Sequence, residues 1–134
     1  MSHHIAWEQH SKTVTTTIRD ITPEGVKMEV NYQGKVSGKL AGMTTGTTTI
    51  ISKIDGSSTW EDKLMGMTEK GEMFVAWGKG TGKMTSPGMT SWEGESQAMS
   101  QSPDLHWLNN LKFKVSGTAD LAKGEAHGQF ADGK

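Results

Sequence analysis

The alternation of apolar and polar residues is the feature that most restricts the fold of this chain. From residue 26 to residue 40 the even positions are apolar residues or glycine, and the odd positions are charged or polar. The even set is Val26, Met28, Val30, Tyr32, Gly34, Val36, Gly38 and Leu40. Because successive side chains of a β-strand point to opposite faces, this period predicts a strand with one dry and one wet face.

Near residue 121 the same alternation changes its parity. Odd positions are apolar from Leu111 to Ala119, and even positions are apolar from Ala122 to Phe130. A continuous strand cannot exchange its faces without a bulge, so a turn is predicted near residues 120–123. Further turn signals, mostly containing Gly, Pro, Asn or Asp, divide the rest of the chain into short strands. The predicted strands are residues 12–21, 26–41, 46–54, 57–67, 72–85, 89–100, 109–120 and 123–131.

Two consecutive hairpins share one pattern of glycine, hydroxyl residues and tryptophan. The matched positions are Gly46 and Gly78, Thr49 and Thr81, Gly56 and Gly88, Thr59 and Ser91, and Trp60 and Trp92. Similar neighbouring hairpins with short connections favour an up-and-down sheet, and eight strands suffice to close it. We predict an all-β fold, a single eight-stranded antiparallel β-barrel of lipocalin-like shape, with a two-sheet β-sandwich as the alternative. The connection at residues 101–110 is long enough for one helical turn beginning near Pro103.

Length and composition are those of one small domain. The chain has 134 residues, and we expect the barrel to span residues 1–134 with residues 1–11 as a frayed N-terminus. It has 14 Lys and Arg against 15 Asp and Glu, without the basic excess that nucleic acids or anionic membranes select. Absence of cysteine excludes disulfides and a cysteine nucleophile. No apolar run approaches the ~20 residues of a membrane span. We expect a cytoplasmic protein without nucleic-acid or membrane partners.

The repeated Trp-Glu strand openings, the Gly-Thr-Gly-Lys-Met run at residues 80–84 and the glycine-rich final strands are similar to a known group. They resemble small bacterial proteins of unknown function placed with the allene oxide cyclase and dirigent-like barrels. The resemblance implies an eight-stranded barrel, often oligomeric in the wider superfamily. It also implies an apolar cavity, which in some members guides cyclisation or coupling of a hydrophobic intermediate. No catalytic residue is carried over by this resemblance, so function has to be argued from the site.

Asp62 is the sharpest candidate for a catalytic residue. If the even positions from Val26 to Tyr32 point into the barrel, short hairpins place Asp62 inward as well. An apolar wall would raise the pKa of this carboxyl towards the range of a general base. The alternative is that a bulge leaves Asp62 in water beside Lys63, because buried unpaired carboxylates are rare.

Tyr32 and His106 are two further catalytic candidates. Tyr32 is the only tyrosine and ends an apolar face, so its hydroxyl could orient a ligand or donate a proton beside Asp62. His106 follows Asp104 by two residues in the long connection, where a loop over a barrel mouth could carry catalysis. The alternatives are a core tyrosine with its hydroxyl at the rim and an ordinary surface histidine.

Aromatic rings and methionines suggest a ligand and a second copy of the chain. Three of the five tryptophans, Trp60, Trp77 and Trp92, are candidates for binding an apolar or aromatic molecule, with plain core packing as the alternative. The strand that holds Trp77 is apolar on both faces. The methionines predicted to point outward argue for a homo-oligomer, a dimer or trimer. These are Met65, Met67, Met89 and Met99.

We expect no metal and no cofactor. Residues 78–82 superficially resemble a phosphate loop but lack the following helix and the Gly-Lys-Ser or Gly-Lys-Thr ending. His127 lies on the polar face of the last strand, and His3, His4 and His10 lie in the expected frayed terminus, so their spacing forms no metal site.

Three functions remain open at this point. The first is a barrel that binds an apolar or aromatic small molecule without transforming it. The second is a cofactor-free isomerase, cyclase or lyase that moves a proton with Asp62 or His106. The third is a structural or interaction protein whose barrel is packed solid. Glycines at inward positions could either open a cavity or let the barrel fill, and the missing Ser-His-Asp and paired-carboxylate patterns favour binding over catalysis. These glycines are Gly94, Gly117, Gly124 and Gly128.

Overall fold

Eight antiparallel strands form one closed barrel in the computed structural model, which describes residues 5–132. Each strand pairs with the next along the chain, and the last strand pairs with the first. The predicted eight-stranded up-and-down barrel is therefore confirmed, and the sandwich alternative is not. The strands are β1 (Ile5–Thr22), β2 (Gly25–Gly38), β3 (Gly42–Lys53), β4 (Ser57–Thr68), β5 (Met73–Ser86), β6 (Met89–Met99), β7 (Lys112–Asp120) and β8 (Glu125–Asp132).

The first strand begins earlier than the sequence pattern predicts. β1 starts at Ile5 rather than at residue 12, and residues 7–12 pair with both β2 and β8. Burial explains the difference, because Trp7 is only 2% exposed and stacks on Phe130 with ring centroids 4.7 Å apart. Residues 5–11 are thus part of the barrel wall instead of a frayed terminus, while residues 1–4 lie outside the described residues.

One end of the barrel is filled by an apolar core. Trp7, Phe74, Phe113 and Phe130 meet there from four strands, each at most 6% exposed. The connection between β6 and β7 covers this end with a short 3-10 helix, Pro103–Leu108, whose Leu105 and Leu108 are buried in the same core. The helical turn expected in this connection is confirmed. We call this the closed end.

The opposite end carries the four tight turns that join β1 to β2, β3 to β4, β5 to β6 and β7 to β8. We call it the mouth. The parity change predicted near residue 121 is the last of these turns, and Phe113 on β7 and Phe130 on β8 both face inward as predicted. Among residues 5–132, no helix is long and apolar enough to cross a membrane.

Large rings inside the barrel lie against glycines of neighbouring strands. Trp60 on β4 is opposite Gly80 on β5, where an added Cβ would lie 2.6 Å from the ring. Trp92 on β6 is opposite Gly117 on β7, and a Cβ there would lie 2.5 Å from Cζ2 of that ring. Such distances are far inside van der Waals contact. The inward glycines therefore make room for two indoles, which narrow the lumen without closing it.

Candidate functional site

The half of the barrel towards the mouth is hollow. It encloses a cavity of about 420 Å³, within the size range of small-molecule sites. The interior is therefore not packed solid, as the third function considered above assumed. Most of the wall is apolar or aromatic. The apolar side chains that line it include Met28, Val30, Ile50, Trp60 and Trp92.

A carboxylate and two hydroxyls form the floor of the cavity. Asp62 faces inward because β4 pairs with β3 and β5 without a register shift, which keeps the parity read from the sequence. The hydroxyl of Tyr32 lies 2.8 Å from Oδ1 and 2.9 Å from Oδ2 of Asp62. Oγ1 of Thr48 donates to Oδ1 of Asp62 at 2.9 Å. Three adjacent strands, β2, β3 and β4, each supply one of these groups.

The environment of Asp62 favours its neutral form. Burial against the apolar wall raises the pKa of Asp62 above its ordinary value of 3.8. Hydrogen bonds from Tyr32, Thr48 and the backbone amide of Lys63 act in the opposite direction and offset only part of this rise. A carboxyl with a raised pKa at the bottom of a cavity can hold a proton, give it up or bind a cation.

Tyr32 keeps its proton throughout the ordinary pH range. Burial raises its pKa first of all, and the charge of Asp62 and the hydrogen bond to it raise the pKa further. The phenol therefore serves as a hydrogen-bond donor to the carboxylate. It is 7% exposed, so it is a core residue as well as a site residue.

Gln9 brings a second acceptor to the same chamber. Its side chain on β1 is 9% exposed and lines the cavity, and its Oε1 has no hydrogen-bond partner among the described residues. An unpaired buried carbonyl costs about 1–3 kcal/mol. The polar part of the cavity thus presents acceptors that protein donors do not fully satisfy.

The charged side chains that line the cavity are all acidic. Asp62 lies at its floor, and Asp120 and Glu125 lie at the mouth, where they are cross-strand partners. Among the residues of the described chain that line the cavity, there is no lysine, arginine or histidine. The lining therefore carries only negative charge when these carboxyls are ionised.

Two tryptophans stand above the carboxylate. Trp60 and Trp92 meet edge to face, with ring centroids 5.7 Å apart and planes at 81°. The indole N–H of Trp60 donates to the carbonyl oxygen of Thr81 at 3.1 Å, which fixes that ring. Electron-rich faces of such rings attract cations as well as flat apolar groups.

The structure brings four of the six predicted site residues together. Tyr32, Trp60, Asp62 and Trp92 all line the cavity. Trp77 instead lies on the outer wall, 40% exposed, because its odd position on β5 points away from the lumen.

His106 is also remote from the cavity. It is exposed in the 3-10 helix at the closed end, and Asp104 of the same helix is exposed too. The connection that holds them covers the filled end of the barrel rather than its mouth, so neither side chain reaches the carboxylate of Asp62 through the cavity.

The sequence pattern did not predict that Thr48, Gln9 and the acidic pair at the mouth line the cavity. Thr48 lies directly opposite Asp62 on β3, which a correct strand register would have revealed. Gln9 was not predicted because residues 1–11 carry no clear alternation of apolar and polar residues. In the sequence, Asp120 and Glu125 are ordinary turn residues. They line the mouth of the cavity only because the strands close into a barrel.

Comparison with solved structures identifies the fold. A protein with unknown function from Clostridium acetobutylicum superimposes with a TM-score of 0.87 at 14% identity, covering 100% of both chains. A conserved protein of unknown function from Rhodopseudomonas palustris gives 0.82 at 15% identity, covering 98% of this chain and 96% of the other. An enzyme from Penicillium herquei gives 0.70 at 14% identity, covering 97% and 93%. No protein-family model and no curated protein sequence matches the chain.

Proposed function

We propose that this barrel binds a small organic amine or other organic cation with a flat apolar body. The observation that carries the proposal is the acidic, acceptor-rich floor beneath two tryptophans. An ionised carboxylate in an apolar cavity is costly unless a cation or strong donor meets it. A protonated amine would bond Asp62, while its apolar body would pack on Trp60 and Trp92.

The cavity volume and the unpaired oxygen of Gln9 support the same ligand class. About 420 Å³ accommodates a body of one or two fused rings. Oε1 of Gln9 offers a second acceptor to an ammonium group, which has up to three N–H donors. An anionic ligand would meet three carboxyls and no basic side chain among the described lining residues.

A matched series of ligands tests the proposal. Naphthylmethylamine, naphthylmethanol and naphthoate share one aromatic body and differ in charge and donor capacity. We expect the amine to bind about tenfold more tightly than the alcohol, as a charge-assisted hydrogen bond would give, and the acid to bind least. Tryptophan fluorescence and calorimetry measure the affinities. Equal binding of all three, or no binding of any, would contradict the proposal.

Four substitutions locate the site. Asp62→Asn should remove the preference for the amine, and Asp120→Asn at the mouth should leave most of it. Trp92→Phe should weaken binding of the amine, whereas Trp77→Phe makes the same chemical change on the outer wall and should have no effect. A preference that survives Asp62→Asn would place the cation elsewhere.

A second candidate is a cofactor-free isomerase, cyclase or lyase in which Asp62 takes a proton from a bound molecule. The raised pKa of Asp62 and its opening to the cavity favour this chemistry. The resemblance to allene oxide cyclase and dirigent-like barrels is a fold-level analogy in its support. Deuterium exchange into β-tetralone in heavy water, followed by NMR, is the test. Exchange above the buffer rate that Asp62→Asn abolishes would support catalysis, and exchange at the buffer rate would argue against it.

A further inference from the structure

Three groups that commonly bind metal ions meet on the outer wall where the barrel closes. Glu8 and His10 are alternate residues of β1 and face outward, and His127 of β8 is the direct cross-strand partner of His10. One donor atom from each side chain lies within 4.8 Å of the other two. This cluster is separate from the cavity, since its members point away from the lumen.

The two imidazoles are already held side by side. The rings of His10 and His127 stack with centroids 4.1 Å apart and planes 6° from parallel. The stacking keeps the ring nitrogens of both residues on the same part of the outer wall, beside Glu8. The rigid ladder between β1 and β8 fixes the backbone beneath both rings.

The Nε2 atom of His127 is a second observation that supports a ligand at this cluster. It is shielded from solvent and has no hydrogen-bond partner among the described residues. Its nearest acidic neighbour is Oε1 of Glu8, 3.9 Å away, which is too long for a hydrogen bond. An ion between these atoms would give Nε2 of His127 a partner and would contact Oε1 of Glu8 as well.

Glu8 is also held in place from behind. Nε2 of Gln129, its cross-strand partner, donates to Oε1 of Glu8 at 3.3 Å. Partners of this kind orient metal ligands and tune their affinity. Gln129 is therefore a positioning residue for the carboxylate rather than a ligand.

We propose that Glu8, His10 and His127 bind a divalent transition-metal ion of the zinc type, which bridges β1 and β8. Two imidazole nitrogens and one carboxylate oxygen form a ligand set that zinc accepts, with water completing the coordination. Zinc–ligand bonds of about 2.0–2.2 Å require donor atoms roughly 3.3 Å apart. The side chains must therefore rotate to close the present spacing, and the two stacked rings must tilt so that their in-plane lone pairs converge on the ion. Lys35 pairs with His10 on its other side and will keep the affinity moderate.

A metal bridge at this position would join the first strand to the last. An ion that binds only the folded chain stabilises it by mass action. Saturating zinc should raise the Tm by roughly 5 °C or more, which corresponds to a Kd well below the zinc concentration used. This thermal shift does not depend on any ligand in the cavity.

Calorimetric titration of the full chain with zinc chloride tests the site. We expect one ion per chain with micromolar affinity. His10→Ala and His127→Ala should each weaken binding at least tenfold, and Gln129→Ala should weaken it less. His106→Ala is the matched control, because it removes an exposed histidine at the closed end of the barrel. The double variant His3→Ala with His4→Ala controls for binding by the terminal histidines. Both controls should keep the affinity and the thermal shift.

Two results would overturn the proposal. One is zinc binding that is unchanged in His127→Ala or lost in the control with both terminal histidines replaced. The other is the absence of heat and of any thermal shift at millimolar zinc. Far-ultraviolet circular dichroism of each metal-free variant verifies folding, and Glu8→Gln provides a third ligand variant that conserves shape.

Discussion

The hydroxyl of Tyr32 on β2 reaches across β3 to the carboxylate of Asp62 on β4, at 2.8 and 2.9 Å from its two oxygens. The crossing is possible because Gly46 occupies the intervening position on β3. A Cβ at Gly46 would lie 2.5 Å from the hydroxyl oxygen of Tyr32. One glycine thus permits the contact on which the polar floor of the cavity depends.

Gly46→Ala should break this contact. The added methyl group would displace the phenol and leave Asp62 with one donor fewer, at a cost of about 1–3 kcal/mol for the crowding and the lost hydrogen bond. Thermal unfolding measures the effect, and Gln33→Ala, an exposed change beside Tyr32, is the control. A variant as stable as the parent chain would show that the contact is dispensable.

Asp62→Asn should stabilise the folded chain at neutral pH. The pKa of Asp62 is raised in the folded state, so its contribution to stability is fully present below the unfolded value near 3.8 and is lost as pH rises through the folded pKa. The amide keeps an acceptor for Tyr32 without the buried charge. We expect a Tm a few degrees higher than the parent's at pH 7 and a smaller difference near pH 4, since about 1 kcal/mol shifts the Tm of such a domain by 2–8 °C. A lower Tm at pH 7 would contradict the prediction.

Tyr32 should remain protonated well above pH 10. It is the only tyrosine in the chain, so the absorbance of phenolate reports this residue alone. Its pKa is raised by burial and by Asp62, and the associated stability is lost only as pH rises above the unfolded value near 10.0. We expect phenolate to appear together with loss of the circular dichroism signal. Phenolate in a folded chain near pH 10 would show that the ring is more exposed than the structure has it.

Most of the exposed methionines lie together on one side of the outer wall, where they form an apolar surface. Met43, Met67 and Met73 are cross-strand neighbours on the outer wall, and Met65, Val75 and Met99 form the next row. All six are 40–55% exposed. Met89, also expected to point outward, is half-buried and lies apart near the mouth.

Sedimentation equilibrium tests this surface. An exposed apolar patch of this kind suits a symmetric contact with a second copy. We expect a dimer or trimer at micromolar concentration, and Met67→Glu should dissociate it. Ile54→Glu introduces the same charge at a residue that is 80% exposed near the mouth and should not. A monomeric parent chain would contradict the prediction.

Local alternation was sufficient to predict the barrel and its inside. The strands from β2 onward lie within four residues of their predicted bounds, because turn residues or a long connection mark their ends. The inward direction of Asp62 followed from the same parity. β1 could not be delimited, since two register shifts interrupt its pairing with β2 and only Trp7 and its neighbours reveal its buried start.

Contacts between distant parts of the chain lay beyond that reasoning. His10 and His127 are adjacent only because β8 closes onto β1, and no local spacing signals that closure. The position of Trp77 was not predicted for a different reason. Both faces of its strand are apolar, so hydrophobicity does not distinguish the side that faces the lumen from the side that faces outward.

The pairing of large rings with glycines restricts how this barrel can change in evolution. Enlarging Gly80 or Gly117 alone would collide with Trp60 or Trp92, and shrinking either ring alone would leave an unsupported gap. Substitutions at these positions should therefore co-vary among descendants of this sequence, with one partner growing as the other shrinks. Each such exchange would reshape the lumen while the strand ladder is preserved, which offers a route to new ligand preferences on an unchanged barrel.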